Sequence, residues 1–110
     1  MKMLTVKEKH DIIKLNLNQV YYIQSQADKP HVLALVTREK TYEVRATLSD
    51  LEKDLGDFFF RCHRNCLVNV SKIVGFNKKE RRILFNPKSL GPIYYSRRQY
   101  MQLYQLWLKK

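Results

Sequence analysis

The sequence predicts a mainly-β domain with one short helix near its middle and a second helix at its C-terminus. Three observations carry that reading. Apolar residues mostly recur at period two, or in short β-branched and aromatic runs between polar turns. The period becomes helical in only two places, around residues 47–56 and 97–108. The 110 residues, 45% hydrophobic and 28% charged with three glycines and three prolines, suit a single domain spanning 1–110 without linker or low-complexity segment.

The elements follow in order. Ile13, Leu15 and Leu17 alternate with Lys14, Asn16 and Asn18, a strand pattern. Residues 20–23 are a short run suited to a strand buried on both faces. Residues 25–30, "SQADKP", form a polar turn in which Pro30 holds Lys29 extended. Residues 31–37 and 40–46 read as a hairpin around Arg38 and Glu39, with Tyr42, Val44 and Ala46 on one face of its second strand. In "TLSDLEKDLG", Leu48, Leu51 and Leu55 make a helical stripe. Thr47 or Ser49 can cap it, Asp50 and Glu52 suit its first turn, and Gly56 suits its stop. Its acids, with Asp54 and Asp57, read as solvated surface. Strands return at 65–70, 72–77, 82–85 and 93–96, with "NKKER" as a basic turn and "NPKSLGP" as a loop. From Arg97 onward, Tyr100, Leu103, Tyr104 and Trp107 recur at helical spacing, which predicts a helix docking on the sheet or on a partner.

Charge is unevenly placed. Residues 1–60 hold nine Lys/Arg and nine Asp/Glu; residues 61–110 hold twelve Lys/Arg and Glu80 alone, so the whole net charge of +11 lies in the second half. A solubility charge would be interspersed with acids. A one-sided basic field favours a polyanion, nucleic acid before an anionic membrane surface. No apolar run approaches the roughly 20 residues of a membrane span. The first seven residues lack the apolar core of a signal peptide, and two cysteines fit a reducing, cytoplasmic setting.

The surplus begins inside "FFFRCHRNCLVNVSKIV", residues 58–74. Cys62-His63-x-x-Cys66 offers three ligands where structural zinc takes four; His10 and His31 are isolated. Read as one strand, the segment puts Cys62 and Cys66 about 13 Å apart, too far for a disulfide. Buried thiols acting as small hydrophobes are the simpler reading, with a reactive Cys62 beside Arg61 and His63 as the alternative. No phosphate loop, nucleophile elbow or paired carboxylate motif points to an enzyme, and no cofactor or metal is expected.

An anion-binding reading gathers four basic clusters: Lys29-Pro30-His31; Arg61, Arg64 and Asn65; Lys78, Lys79, Arg81 and Arg82; and Tyr94-Tyr95-Ser96-Arg97-Arg98-Gln99. Arg and Asn are the side chains that read guanine and adenine edges with two hydrogen bonds. For the Lys78 turn alone, long basic side chains covering a sheet edge is the competing reading.

These residues resemble a known family. "FFRCHRNCLVNVSKI", preceded by "LSDLEKDL" and followed by "YSRR", is similar to the LytTR-type DNA-binding domain of AgrA- and ComE-like bacterial response regulators, over about residues 4–101. The R-x-H-R-x-x-x-V-N core falls on Arg61, His63, Arg64, Val68 and Asn69. The resemblance implies an elongated β-β-β arrangement of antiparallel sheets whose loops enter successive DNA grooves. It implies base contacts from His31, Arg64 and Arg98, Arg64 standing where AgrA-like members carry Asn. Lys29, Arg61, His63, Asn65, Lys78, Lys79, Ser96, Arg97 and Gln99 would hold phosphates or support the site. It further implies promoter repeats bound by pairs of domains, two-component and quorum-sensing, competence or bacteriocin control, and a receiver domain elsewhere in the full-length protein, since no phosphoacceptor motif is visible here. A basic β domain binding RNA or single strands is the alternative, with Tyr94, Tyr95 and His31 as its stacking platforms.

Overall fold

The computed structural model describes residues 3–110. Strands β1 (Met3–Glu8) and β2 (Asp11–Asn16) form an antiparallel hairpin. A central five-stranded sheet has the order β5-β4-β3-β7-β6, from β3 (Val20–Gln26), β4 (Lys29–Thr37), β5 (Thr41–Arg45), β6 (Phe59–His63) and β7 (Cys66–Asn69). The third sheet runs β10-β9-β8, from β8 (Gly75–Asn77), β9 (Arg82–Leu84) and β10 (Ile93–Tyr94). Helix α1 (Leu48–Leu55) joins β5 to β6, and α2 (Tyr100–Leu108) ends the chain. All pairings are antiparallel, and the molecule extends 43 × 29 × 28 Å, the elongated arrangement of antiparallel sheets that was expected.

The central sheet is covered on both faces, which explains its near-continuous apolar strands. Ile23, Leu33, Leu35 and Leu67 face one cluster with Leu48, Leu51 and Leu55 of α1 and Leu15 of β2. Tyr22, Cys62, Cys66 and Val68 face the other, with Ile83, Phe85 and Ile93 near the third sheet and Leu103 of α2. The three α1 leucines are each about 5–6% exposed; burying them contributes about 2 kcal/mol apiece. An isolated helix of eight residues is marginal in water, so this stripe holds it. Thr47 Oγ1 accepts from the Asp50 amide at 3.2 Å, and Gly56 closes the helix at φ 60°. Helix α2 packs on the chain's own core: Leu103 is fully buried, and the Trp107 indole donates to the Ile73 carbonyl, just after the Val70–Lys72 turn, at 2.9 Å.

Several expectations are corrected. Residues 3–8, not read as a strand, pair with β2. The strands expected at 65–70 and 72–77 shrink to Cys66–Asn69 and Gly75–Asn77, because a 3-10 turn at Val70–Lys72 lies between them. Asn69 holds this turn: its Oδ1 accepts from the Ser71 amide and hydroxyl, and its Nδ2 donates to the Leu17 and Val20 carbonyls. The motif at residues 58–74 does not run as one strand. It reverses at Arg64 and Asn65, so β6 pairs with β7 and Arg61 opposes Leu67. Phe59 is buried, but Phe58 is 47% exposed and faces the Lys110 ammonium at 5.4 Å.

Candidate nucleic-acid interface

The β6–β7 hairpin determines the site. Between Arg61 and His63 the register shifts, leaving Cys62 as an extra residue in a bulge. Cys62 and Cys66 both turn inward, and the Cys62 thiol donates to the Cys66 carbonyl at 3.7 Å. The Cys62 thiol beside it, and then burial, push the Cys66 thiol well above its ordinary 9.0. Protonated buried thiols pack as small hydrophobes. The expected separation of about 13 Å is therefore wrong, because the hairpin folds the two cysteines together. Among the described residues no group of three or more His, Cys, Asp or Glu is placed to hold a metal.

The tip of this hairpin is tied at three backbone points. Arg61 Nε and Nη2 donate to the Arg64 carbonyl at 3.2 and 2.6 Å. The Asn65 amide donates to His63 Nδ1 at 3.3 Å, and the Ser25 amide at the end of β3 donates to the Asn65 carbonyl at 3.0 Å. The Arg64 side chain points outward, exposed and without a hydrogen-bond or ion-pair partner among the described residues.

A second tip comes from β4. Its pairing with β3 jumps from Ser25–Leu33 to Gln26–Lys29, so residues 30–32 bulge out of register. His31 adopts φ 64°, a left-handed conformation uncommon for a residue with a side chain, and it is exposed. Its carbonyl accepts from the Ala46 amide at 3.0 Å, which pins the bulge. The third tip is the 3-10 turn Arg97–Gln99 leading into α2. The Ser96 amide donates to the Cys62 carbonyl at 2.8 Å, stitching this turn to the β6 edge, and Arg97 and Arg98 are exposed.

The three tips adjoin. A hollow of about 280 Å³ is lined by His31, Arg61, Arg64 and Asn65 together with the start of α1. Another of about 380 Å³ is lined by Arg61, His63, Arg64, Ser96, Arg98 and Gln99. Arg61 and Arg64 belong to both, so His31, Arg64 and Arg98 follow one another along one edge. The β8–β9 turn lies beside the third tip: the Tyr95 amide donates to the Arg81 carbonyl at 3.0 Å, and the Lys78 ammonium sits 5.7 Å from the Tyr100 ring. Lys79 is exposed. A further concavity of about 830 Å³, lined by residues of the third sheet and its loops such as Val74, Arg82, Leu84 and Tyr94, contains none of His31, Arg64 and Arg98.

Several basic residues are already engaged: at the basic turn Arg82 pairs with Glu80 at 3.2 Å, and two of the expected DNA contacts, Lys29 and Arg61, also meet acids. Lys29 pairs with Glu43 at 2.8 Å; the hydrogen bond to Glu43 raises the lysine's pKa, and the same contact, with Gln26 second, lowers that of Glu43. Arg61 Nη1 pairs with Glu52 of α1 at 3.0 Å. Glu52 was expected as solvated surface, and nothing in the sequence ties it to Arg61. Asp50 and Asp54 are exposed; the Asp57 side chain lies outside the described residues. Tyr95 is only 5% exposed, stacked on Tyr100, whereas Tyr94 is 49% exposed.

A β scaffold that presents cationic tips along one edge defines a sheet-based domain whose exposed basic tips lie on loops and turns. The profile of the LytTr DNA-binding domain matches residues 10–108, and the chain belongs to that family. Among solved structures it is similar to one from Bacillus cereus, described as the LytTr DNA-binding domain of a methyl-accepting/DNA response regulator. The two share 20% identity over 100% of this chain and 99% of that one, with a TM-score of 0.74, and hence a fold. No curated protein matches the chain.

Proposed function

We propose that this domain binds double-stranded DNA sequence-specifically, with His31, Arg64 and Arg98 reading base edges from loops set into successive grooves. The observation that carries the reading is the edge itself: three exposed side chains on three separately pinned tips, neighbours through shared hollows. Arg64 and Arg98 suit guanine O6 and N7, which accept the forked guanidinium. His63, Asn65, Ser96, Arg97, Gln99, Lys78 and Lys79 lie around them and would set register through the phosphates. Lys29 would have to share its ammonium with Glu43.

Family membership supports DNA as the partner. The finer reading is an effector domain of a two-component transcription regulator, of the quorum-sensing, competence or bacteriocin kind, working in pairs on tandem promoter sites under a receiver domain in the full-length protein. The alternative, RNA or single strands, loses one of its stacking platforms with Tyr95 buried.

The test is a salt titration of binding to duplex DNA, single-stranded DNA and RNA of equal length. The duplex should bind most tightly, with log K falling against log salt by about 0.9 per neutralised phosphate. Tighter binding to single strands or RNA would replace this reading with the alternative.

A further inference from the structure

We propose that Arg61 is a positioning residue: it shapes the Arg64–Asn65 tip for base reading, and Glu52 of α1 anchors it. The inference rests on the DNA-binding reading above and assigns to Arg61 a task other than holding a phosphate. Each of the three guanidinium nitrogens donates one hydrogen bond within the chain. Nε and Nη2 converge on the Arg64 carbonyl, and Nη1 meets Glu52 Oε1. The side chain is only 27% exposed, and its charge is matched by a carboxylate. The geometry needs arginine, since a planar fork can grip one carbonyl with two donors while a third reaches a carboxylate. Lysine keeps the charge but not the fork.

The grip matters because of the residue it holds. The carbonyl it fixes belongs to Arg64, whose side chain leaves the same Cα toward solvent. A bidentate base contact requires the guanidinium plane to arrive at one angle, so a loosened carbonyl spreads that angle without removing any charge. Glu52 then favours specificity even though its negative charge lies next to a DNA-binding edge.

The test compares the wild type with Arg61→Ala, Arg61→Lys, Glu52→Gln and the Arg61→Ala/Glu52→Gln pair. The probes are the duplex that the wild type selects from a random library and a random-sequence duplex of equal length. Positioning predicts that Arg61→Lys fails to rescue Arg61→Ala, each lowering the ratio of selected to random binding by about 5- to 10-fold, the low end of what one base contact discriminates. Glu52→Gln should lower the same ratio while leaving random-duplex binding unchanged or tighter, and should add nothing in the Arg61→Ala background. A phosphate role predicts the opposite. Arg61→Lys would preserve the ratio, Arg61→Ala would weaken both duplexes alike and lessen the salt slope by about 0.9, and Glu52→Gln would tighten both. That pattern overturns the proposal.

A measurement without DNA keeps it separate from the DNA-binding reading. Backbone heteronuclear NOEs at Arg64 and Asn65 should drop in Arg61→Lys and Glu52→Gln while the rest of the chain is unchanged. Unchanged NOEs overturn the clamp even if DNA binds. Reduced NOEs in the variants, together with a wild type that does not prefer duplex DNA, would leave the clamp intact and remove the function it serves.

Discussion

The Asn69 side-chain amide, fully buried, donates to the Val20 carbonyl at 2.9 Å and so joins the end of β7 to the start of β3. The same side chain reaches Leu17 and receives two hydrogen bonds from Ser71. Asn69→Ala should destabilise the domain by about 2–4 kcal/mol, because buried carbonyls and an amide lose their partners. Asn69→Asp should cost a similar amount, since a carboxylate cannot donate to the two carbonyls. Urea unfolding measures this; a loss below about 1 kcal/mol would show that water or relaxation replaces the network.

The cysteine pair predicts slow thiol chemistry. Cys62 and Cys66 are buried, and Cys66 is held well above its ordinary 9.0 by its neighbour and by burial. In native buffer both should react with iodoacetamide at least roughly tenfold more slowly than in urea, because the thiolate is the nucleophile. Rapid native labelling of Cys62 would revive it as a reactive thiol.

The same shift gives stability a sign against pH. The unfolded Cys66 thiol loses its proton near its ordinary value, while the folded one keeps it. Above that value the unfolded chain binds fewer protons, so stability should fall as pH rises through and beyond about 9. Cys66→Ala should flatten this alkaline decline, after allowing for its own loss of packing. An equally steep decline in the variant would place the titrating group elsewhere.

Lys78→Ala with Lys79→Ala should weaken selected and random duplexes alike and lessen the salt slope by about 0.9 for each lost phosphate contact. Lys78 lies over the Tyr100 ring, so it has a second, structural contact. A salt slope that does not move would return the turn to a solvated sheet edge.

Much of this architecture was legible because periodicity records burial. The three leucines of α1, the alternation of Tyr42 and Val44, and the aromatic run at residues 20–23 each match the face they bury. The β6–β7 reversal was not legible. A tight hairpin is usually betrayed by Gly or Asn-Gly at positive φ, yet neither Arg64 nor Asn65 has a positive φ; the bulge at Cys62 accommodates the twist instead. The basic clusters were visible, but their division was not. Sequence cannot show that Lys29 and Arg61 meet Glu43 and Glu52, partners 14 and 9 residues away, while Arg64 stays exposed.

Base reading by Arg64 and Arg98 is tested most directly by selecting bound duplexes from a random library with the wild type, Arg64→Ala, Arg98→Ala and His31→Ala. A guanidinium on guanine O6 and N7 discriminates by about 1–3 kcal/mol, or roughly 5- to 150-fold. Arg64→Ala and Arg98→Ala should each relax preference at a different position of the selected motif and leave random-duplex binding comparatively intact. His31→Ala should relax a third position more weakly, and Arg97→Ala should weaken all duplexes alike. If Arg64→Ala and Arg98→Ala return the wild-type motif at lower yield, these arginines hold phosphates and the base-reading account is contradicted.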